Sequence, residues 1–197
     1  MIKPLIDLAQ VSVGYSFRCK IVDDVDGIVK AIQMRDLSLG RGINWQTVAN
    51  TNVPLKTTPS NGSAYLKLGD IIFTARGTNN YAYEMTSCPF KTVLSPLLFK
   101  IRIMDTSIVS PAFLAWQINQ KYAQAYFSKY TEGSSIVGIR RTILDSLPIF
   151  LPPIEDQYKI INIIRCWEKE RDTLNALKEN HQNMMHAIAA NLLQGNI

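Results

Sequence analysis

The chain has 197 residues, 47% of them hydrophobic and 19% charged, which excludes bulk disorder and is enough for one core plus an appendage. Its 21 Lys and Arg outnumber 16 Asp and Glu, but unevenly: residues 1–153 hold 16 basic and 10 acidic groups, residues 154–197 hold 5 and 6. A polyanionic partner therefore suits the first part and not the second. Cys19, Cys88 and Cys166 are odd in number, far apart and in no metal-ligand spacing, so free thiols in a reducing compartment are expected. The opening MIKPLIDLAQ lacks a signal-peptide apolar core, and no apolar run approaches the ~20 residues that cross a bilayer. The expectation is a soluble, cytoplasmic protein.

VSVGYSFR at 11–18 alternates, with Val11, Val13, Tyr15 and Phe17 on one face, and predicts a half-buried strand. DDVDG at 23–27 reads as a turn, and IVKAIQMRDL at 28–37 as a second strand. Residues 37–69 contain no acid and are rich in turn formers, which predicts exposed loops around short strands. GDIIFTARG at 69–77 is a turn, a buried strand and a turn, and residues 92–104 add more strand. Ser110 and Pro111 open a helix as cap and first helical residue, with Phe113, Leu114, Ile118, Tyr122 and Ala125 near one face. TEGSSIVGIRR at 131–141 is a loop.

Three prolines then fall in seven residues, Pro148, Pro152 and Pro153, before a proline-free segment. They stiffen an exit and start a helix. That helix carries Ile160, Ile164, Trp167, Leu174, Leu177, His181, Met184, Ile188 and Leu192 in steps of three, four or seven, interrupted at Arg171. A stripe this long predicts a partner helix. About forty residues at ~1.5 Å each give a rod of roughly 60 Å.

Several enzyme classes lack their residues. With Gly27 at position six of a calcium loop, position one would be Val22 and position twelve Gln33, so DDVDG is a turn and no metal site. RGTNN at 76–80 follows a strand but has one glycine and no lysine followed by Ser or Thr, so it is no nucleotide-hydrolysis loop. It reads either as a solvated hairpin or as donors, Arg76, Asn79 and Asn80, for base edges and phosphates. His181 and His186 are five apart, the wrong separation for one helix face, and His181 falls on the apolar stripe as a packing residue. Glu168, Lys169 and Glu170 diverge around a helix and read as a solvated face. Gly138, Arg140 and Arg141 are read as a grip on phosphates or on a protein, against a plain pair of surface arginines. No catalytic constellation, metal site or cofactor site is expected.

LKLGDIIFTARG at 66–77, EGSSIVGIRRTILDSLPIFLPPIEDQYKI at 132–160 and NLLQG at 191–195 together resemble the DNA specificity (S) subunits of type I restriction–modification systems. The junction formed by Leu151, Pro152, Pro153, Ile154, Glu155, Asp156 and Gln157 is the closest part of the likeness, which covers roughly residues 60–197. Such subunits carry two recognition domains held apart by two antiparallel helices, and each domain reads half of a split target. This chain resembles one half only. The resemblance implies an α+β fold: a mixed-sheet target-recognition domain at 1–152, then a dimerising spacer helix at 153–197 in an antiparallel coiled-coil-like dimer. It implies a non-catalytic, cofactor-free protein that binds double-stranded DNA at a bipartite target. The implied partners are a second copy and a methyltransferase subunit, with a restriction subunit as a further one. No Asn/Asp-Pro-Pro-Tyr/Phe methyltransferase motif is present.

The residues expected at DNA are Arg35, Arg41, Lys56, Arg76, Asn79, Asn80, Arg140 and Arg141. Those expected in the helix pairing are Ile164, Trp167, Leu174, Leu177, Met184 and Ile188. The competing reading is an assembly module that dimerises through its helix without reading DNA.

Overall fold

The computed structural model describes residues 1–40, 42–53, 64–77, 80–131 and 138–193. Arg41, Lys56, Asn79, most of the 131–141 loop and the last residues of NLLQG lie outside them. The chain divides into two compact units, Met1–Tyr158 and Lys159–Ile197.

The first unit is built on strands β1 (Ile2–Pro4), β2 (Ala9–Val13), β3 (Val29–Ile32), β4 (Leu37–Ser38), β5 (Gly42–Ile43), β6 (Ala49–Thr51), β7 (Ile71–Thr74), β8 (Ala82–Glu84), β9 (Thr92–Leu94), β10 (Leu98–Ile103) and β11 (Pro148–Phe150). Its helices are α1 (Pro111–Ile118), α2 (Lys121–Thr131) and α3 (Arg141–Asp145), and α4 (Ile154–Leu193) runs on into the second unit. One sheet has the order β2-β10-β7-β8 and is antiparallel throughout. A second, β6-β3-β9, is mixed, because β3 pairs β6 antiparallel and β9 parallel. The fold is α+β with mixed sheets and a long C-terminal helix.

Strand alternation decides which core each side chain joins. From β3, Val29 and Ala31 pack with Val93, while Ile32 joins Ile72, Met85, Leu94 and Leu98 on the other side. In the larger sheet Phe73 stacks near Phe99 at 6.4 Å between ring centroids and meets Phe127 of α2 at 5.3 Å. Burying each such ring contributes about 2–3 kcal/mol. Glycine and aspartate of the GDII segment are both needed. Gly69 turns at φ +80, and Asp70, almost fully buried, is gripped by Arg102 through Nε at 2.7 Å and a guanidinium NH2 at 2.6 Å.

Three expectations are corrected. The strand read at 11–18 ends at Val13, because Gly14 is pressed against the next layer: a Cβ on it would lie 2.0 Å from the Ser95 carbonyl oxygen. Tyr15 and Phe17 nevertheless tuck against the Val29, Ala31 and Val93 cluster. The strand read at 28–37 stops at Ile32 and becomes a 3-10 turn, Met34–Asp36. The single helix read after Ser110 is two. Ser110 Oγ caps it by accepting from the Phe113 N–H at 3.2 Å, as expected, but the chain breaks at Asn119. There Asn119 turns away to bond the Ala82 backbone twice, accepting from its N–H and donating to its carbonyl, each at 2.8 Å. Gln117 does the same for Phe150, so both side chains act as substitute strands.

The proline run behaves as the sequence predicts. Pro148 lies in β11, paired with Pro4 of β1. Helix α4 begins right after Pro153, whose carbonyl accepts the Asp156 and Gln157 N–H groups at 3.0 and 3.1 Å. In the second unit every described residue from Arg165 onward is exposed, including Trp167 at 65%, Leu174 at 59% and Leu177 at 49%.

Candidate nucleic-acid interface

Arg35 is offered to solvent by a turn held from beneath. The neighbouring Asp36 is fully buried, and its carboxylate accepts from the Gln33 N–H at 2.8 Å and the Thr47 hydroxyl at 2.8 Å. Its carbonyl accepts from the Asn44 N–H at 2.8 Å. Arg35 is 64% exposed, and its Nε lies 3.8 Å from Asp36, a distance at which the pairing leaves the guanidinium available.

Arg76 sits at the end of β7 in an antiparallel bridge with Gly138. The Ile139 N–H donates to the Ala75 carbonyl at 2.7 Å, and the Ile139 side chain is buried. A Cβ on Gly138 would lie 3.1 Å from the Ala75 oxygen, which explains a glycine where two backbones touch. Beyond the bridge, Arg140 precedes α3 and is exposed, and Arg141, also exposed, pairs with Asp145 at 3.2 Å one turn on. Gly77, at φ +96, lies against Met34: a Cβ there would be 3.3 Å from the Met34 methyl. The turns bearing Arg35, Arg76 and Arg140 therefore meet, although they are far apart in sequence.

Asn80 departs from the expectation of a free reading residue. It is buried, its amide NH2 donates to the Thr74 carbonyl at 2.8 Å, and its own carbonyl accepts from Gln124 at 2.9 Å. It closes the β7–β8 turn. DDVDG is a turn, as expected: the Asp23 carboxylate accepts from the Asn50 N–H at 2.7 Å and the Asp24 carboxylate from the Asn52 amide at 3.0 Å. Sequence reasoning passed over Lys20, exposed and in one groove with Arg35, where the basic FRCK at 17–20 was the available signal.

Among the described residues no group of His, Cys, Asp and Glu is placed to hold a metal ion, and no helix is long and apolar enough to cross a membrane. His181, His186, Glu168, Lys169 and Glu170 are all exposed on α4. Tyr126 of α2 donates to the Ile143 carbonyl of α3 at 3.2 Å. Burial, helped by its contact with Tyr130, pushes its phenol up to about 12.

The fold is similar to three solved structures. An S subunit of a type I restriction–modification system from M. genitalium is 13% identical, with a TM-score of 0.57 over 90% of this chain and 41% of that one. An HsdS subunit from Thermoanaerobacter tengcongensis is 15% identical, with a TM-score of 0.61 over 88% of this chain and 38% of that one. A chain from a structure of complex assembly and conformational transition in the type I R-M system is 14% identical, with a TM-score of 0.56 over 88% and 39%. This chain thus spans about two-fifths of the length of each. No curated protein sequence matches it. The family model of the type I restriction modification DNA specificity domain matches residues 2–182, and the chain belongs to that family.

Proposed function

We propose that this chain is a specificity half-subunit that binds double-stranded DNA and directs a methyltransferase, with a restriction subunit as a further partner, to a bipartite target. Residues 1–152 are the recognition domain and residues 153–197 the spacer helix, in a cytoplasmic complex. The observation that carries the reading is the meeting of the Arg35, Arg76 and Arg140 turns on a domain of net basic charge. Arg and Lys there position the protein on phosphates, and nearby side chains read base edges. Catalysis belongs to the partner subunits.

The exposed stripe of α4 supports pairing with a second copy. Ile164, Trp167, Leu174, Leu177, Met184 and Ile188 recur along one face, and all but the half-buried Ile164 are exposed. Covering each large side chain contributes about 1.5–3 kcal/mol, so several offset the cost of association. An antiparallel two-fold pair would present two equal recognition domains, and hence require a palindromic, split target. The same stripe also serves the rival reading, an assembly module that does not read DNA. Filter binding of the purified chain to mixed-sequence duplexes at two salt concentrations separates them. DNA affinity that falls with log salt is expected. A folded dimer that binds no duplex at either salt favours the assembly module.

A further inference from the structure

The turn that carries Arg35 also forms one wall of a groove of about 350 Å³. Phe17, residues 19–21, residues 33–35 and residues 95–97 line it. Gly14 makes the arrangement possible. With no side chain it lies directly on the Ser95 carbonyl, and the Tyr15 N–H donates to the Leu94 carbonyl at 2.7 Å, so residues 17–21 pass close to the end of β9.

The polar groups in this groove are of one kind. Lys20 and Arg35 bring positive charge, and no carboxylate lines it. Two further lining residues carry buried groups without a hydrogen-bond partner among the described residues, the Gln33 side-chain NH2 and the Ser95 hydroxyl. Ser95 is only 5% exposed. A buried donor without an acceptor is costly, and two in one cleft mark a place where an acceptor arrives from outside. An ammonium, a guanidinium, an amide NH2 and a hydroxyl together suit an anionic oxygen group.

We infer that this groove seats one backbone phosphate of the DNA, bound by Lys20, Arg35, Gln33 and Ser95. The assignment rests on the DNA-binding reading above. A DNA phosphate is favoured over a free one because the groove's wall is the Arg35 turn, whose Met34 lies against Gly77 beside Arg76, so the groove adjoins the basic turns of the proposed interface. The contact is independent of sequence and fixes how the domain lies on the duplex.

The test uses the full chain and a mixed-sequence duplex. Lys20→Gln, an exposed change, is expected to lower the slope of log affinity against log salt by about 1. Ser95→Ala removes a hydroxyl that has no partner among the described residues. It should leave Tm unchanged or raised while weakening DNA binding about tenfold, a pair of effects that a merely structural serine would not give. In the NMR spectrum, the Gln33 side-chain NH2 signal should move when the duplex is added, and more weakly with inorganic phosphate at matched ionic strength. If both variants keep the parent's affinity and slope, the groove holds no DNA phosphate, although the DNA-binding reading stands. A Gln33 signal that moves with inorganic phosphate but not with the duplex assigns the groove to a free anion and overturns the inference. A parent chain that binds no duplex defeats the functional reading and this inference together.

Discussion

The Gln157 side chain accepts the Ser110 N–H at 3.0 Å, across 47 residues of chain. Its NH2 also donates to the carbonyls of Ile108 and Pro152, at 2.9 and 3.0 Å, and the residue is fully buried. Three backbone groups thus bond to one amide, which joins the first turn of α4 to the segment that opens α1. Gln157→Ala should therefore cost about 3 kcal/mol, because it leaves buried groups unpaired. Thermal unfolding is expected to show a Tm lowered by roughly 6–12 °C. An unchanged Tm would show that water replaces the amide at no cost.

Gly14→Ala forces a methyl to within 2.0 Å of the Ser95 oxygen, and the neighbour is backbone that cannot rotate away. The expected loss is about 3 kcal/mol or more, at the high end for a surface-adjacent glycine. Urea unfolding gives the measurement, with Gly42→Ala as a comparison: no atom lies within 4 Å of a Cβ there, and only its φ of +72 opposes the change.

Arg76→Ala and Arg140→Ala should each weaken duplex binding across all sequences and reduce the salt slope by about 1. Both side chains are exposed, so circular dichroism and Tm should stay at the parent values. Asn80→Ala is expected to behave oppositely, with a lower Tm, since its amide bonds Thr74 within the fold.

Leu174→Asp with Leu177→Asp places two charges on the uncovered face of α4. Sedimentation should show a monomer where the parent is a dimer, and tight binding to a split palindromic site should be lost with it. A parent already monomeric at micromolar concentration would mean that the helix pairs with a different chain.

Tyr126 should titrate well above the ordinary tyrosine range, near 12. Its neutral form is favoured in the folded state, so this contribution to stability is complete below the ordinary tyrosine pKa and is lost as pH rises from there towards about 12. Absorbance at alkaline pH, compared between the parent and Tyr126→Phe, should show the phase near 12 missing from the variant.

The sequence was most legible where one short-range rule decides the outcome. Ser110 and Pro111 cap a helix by local chemistry, and IIFT at 71–74 is apolar enough to be nothing but a buried strand. The proline run and the α4 periodicity are equally local. What could not be read depends on contacts across the fold. The helix break at Asn119 exists because Ala82 needs a partner, and Asn80 looks like a free donor until Thr74 is seen beside it. Likewise the Arg35 and Arg76 turns touch through Met34 and Gly77, a contact with no trace in spacing.

The pairing of β1 with β11 has a wider consequence. Ile2 lies opposite Phe150 and Pro4 opposite Pro148, so the strand that leads into the first unit and the strand that leads out of it run side by side. The body between them is tied on at further points, through Gln117 to Phe150 and Gln157 to Ser110. A different body that keeps this seam and offers partners to Phe150 and Gln157 fits in the same place. An exchange of that kind leaves the course of the long helix untouched.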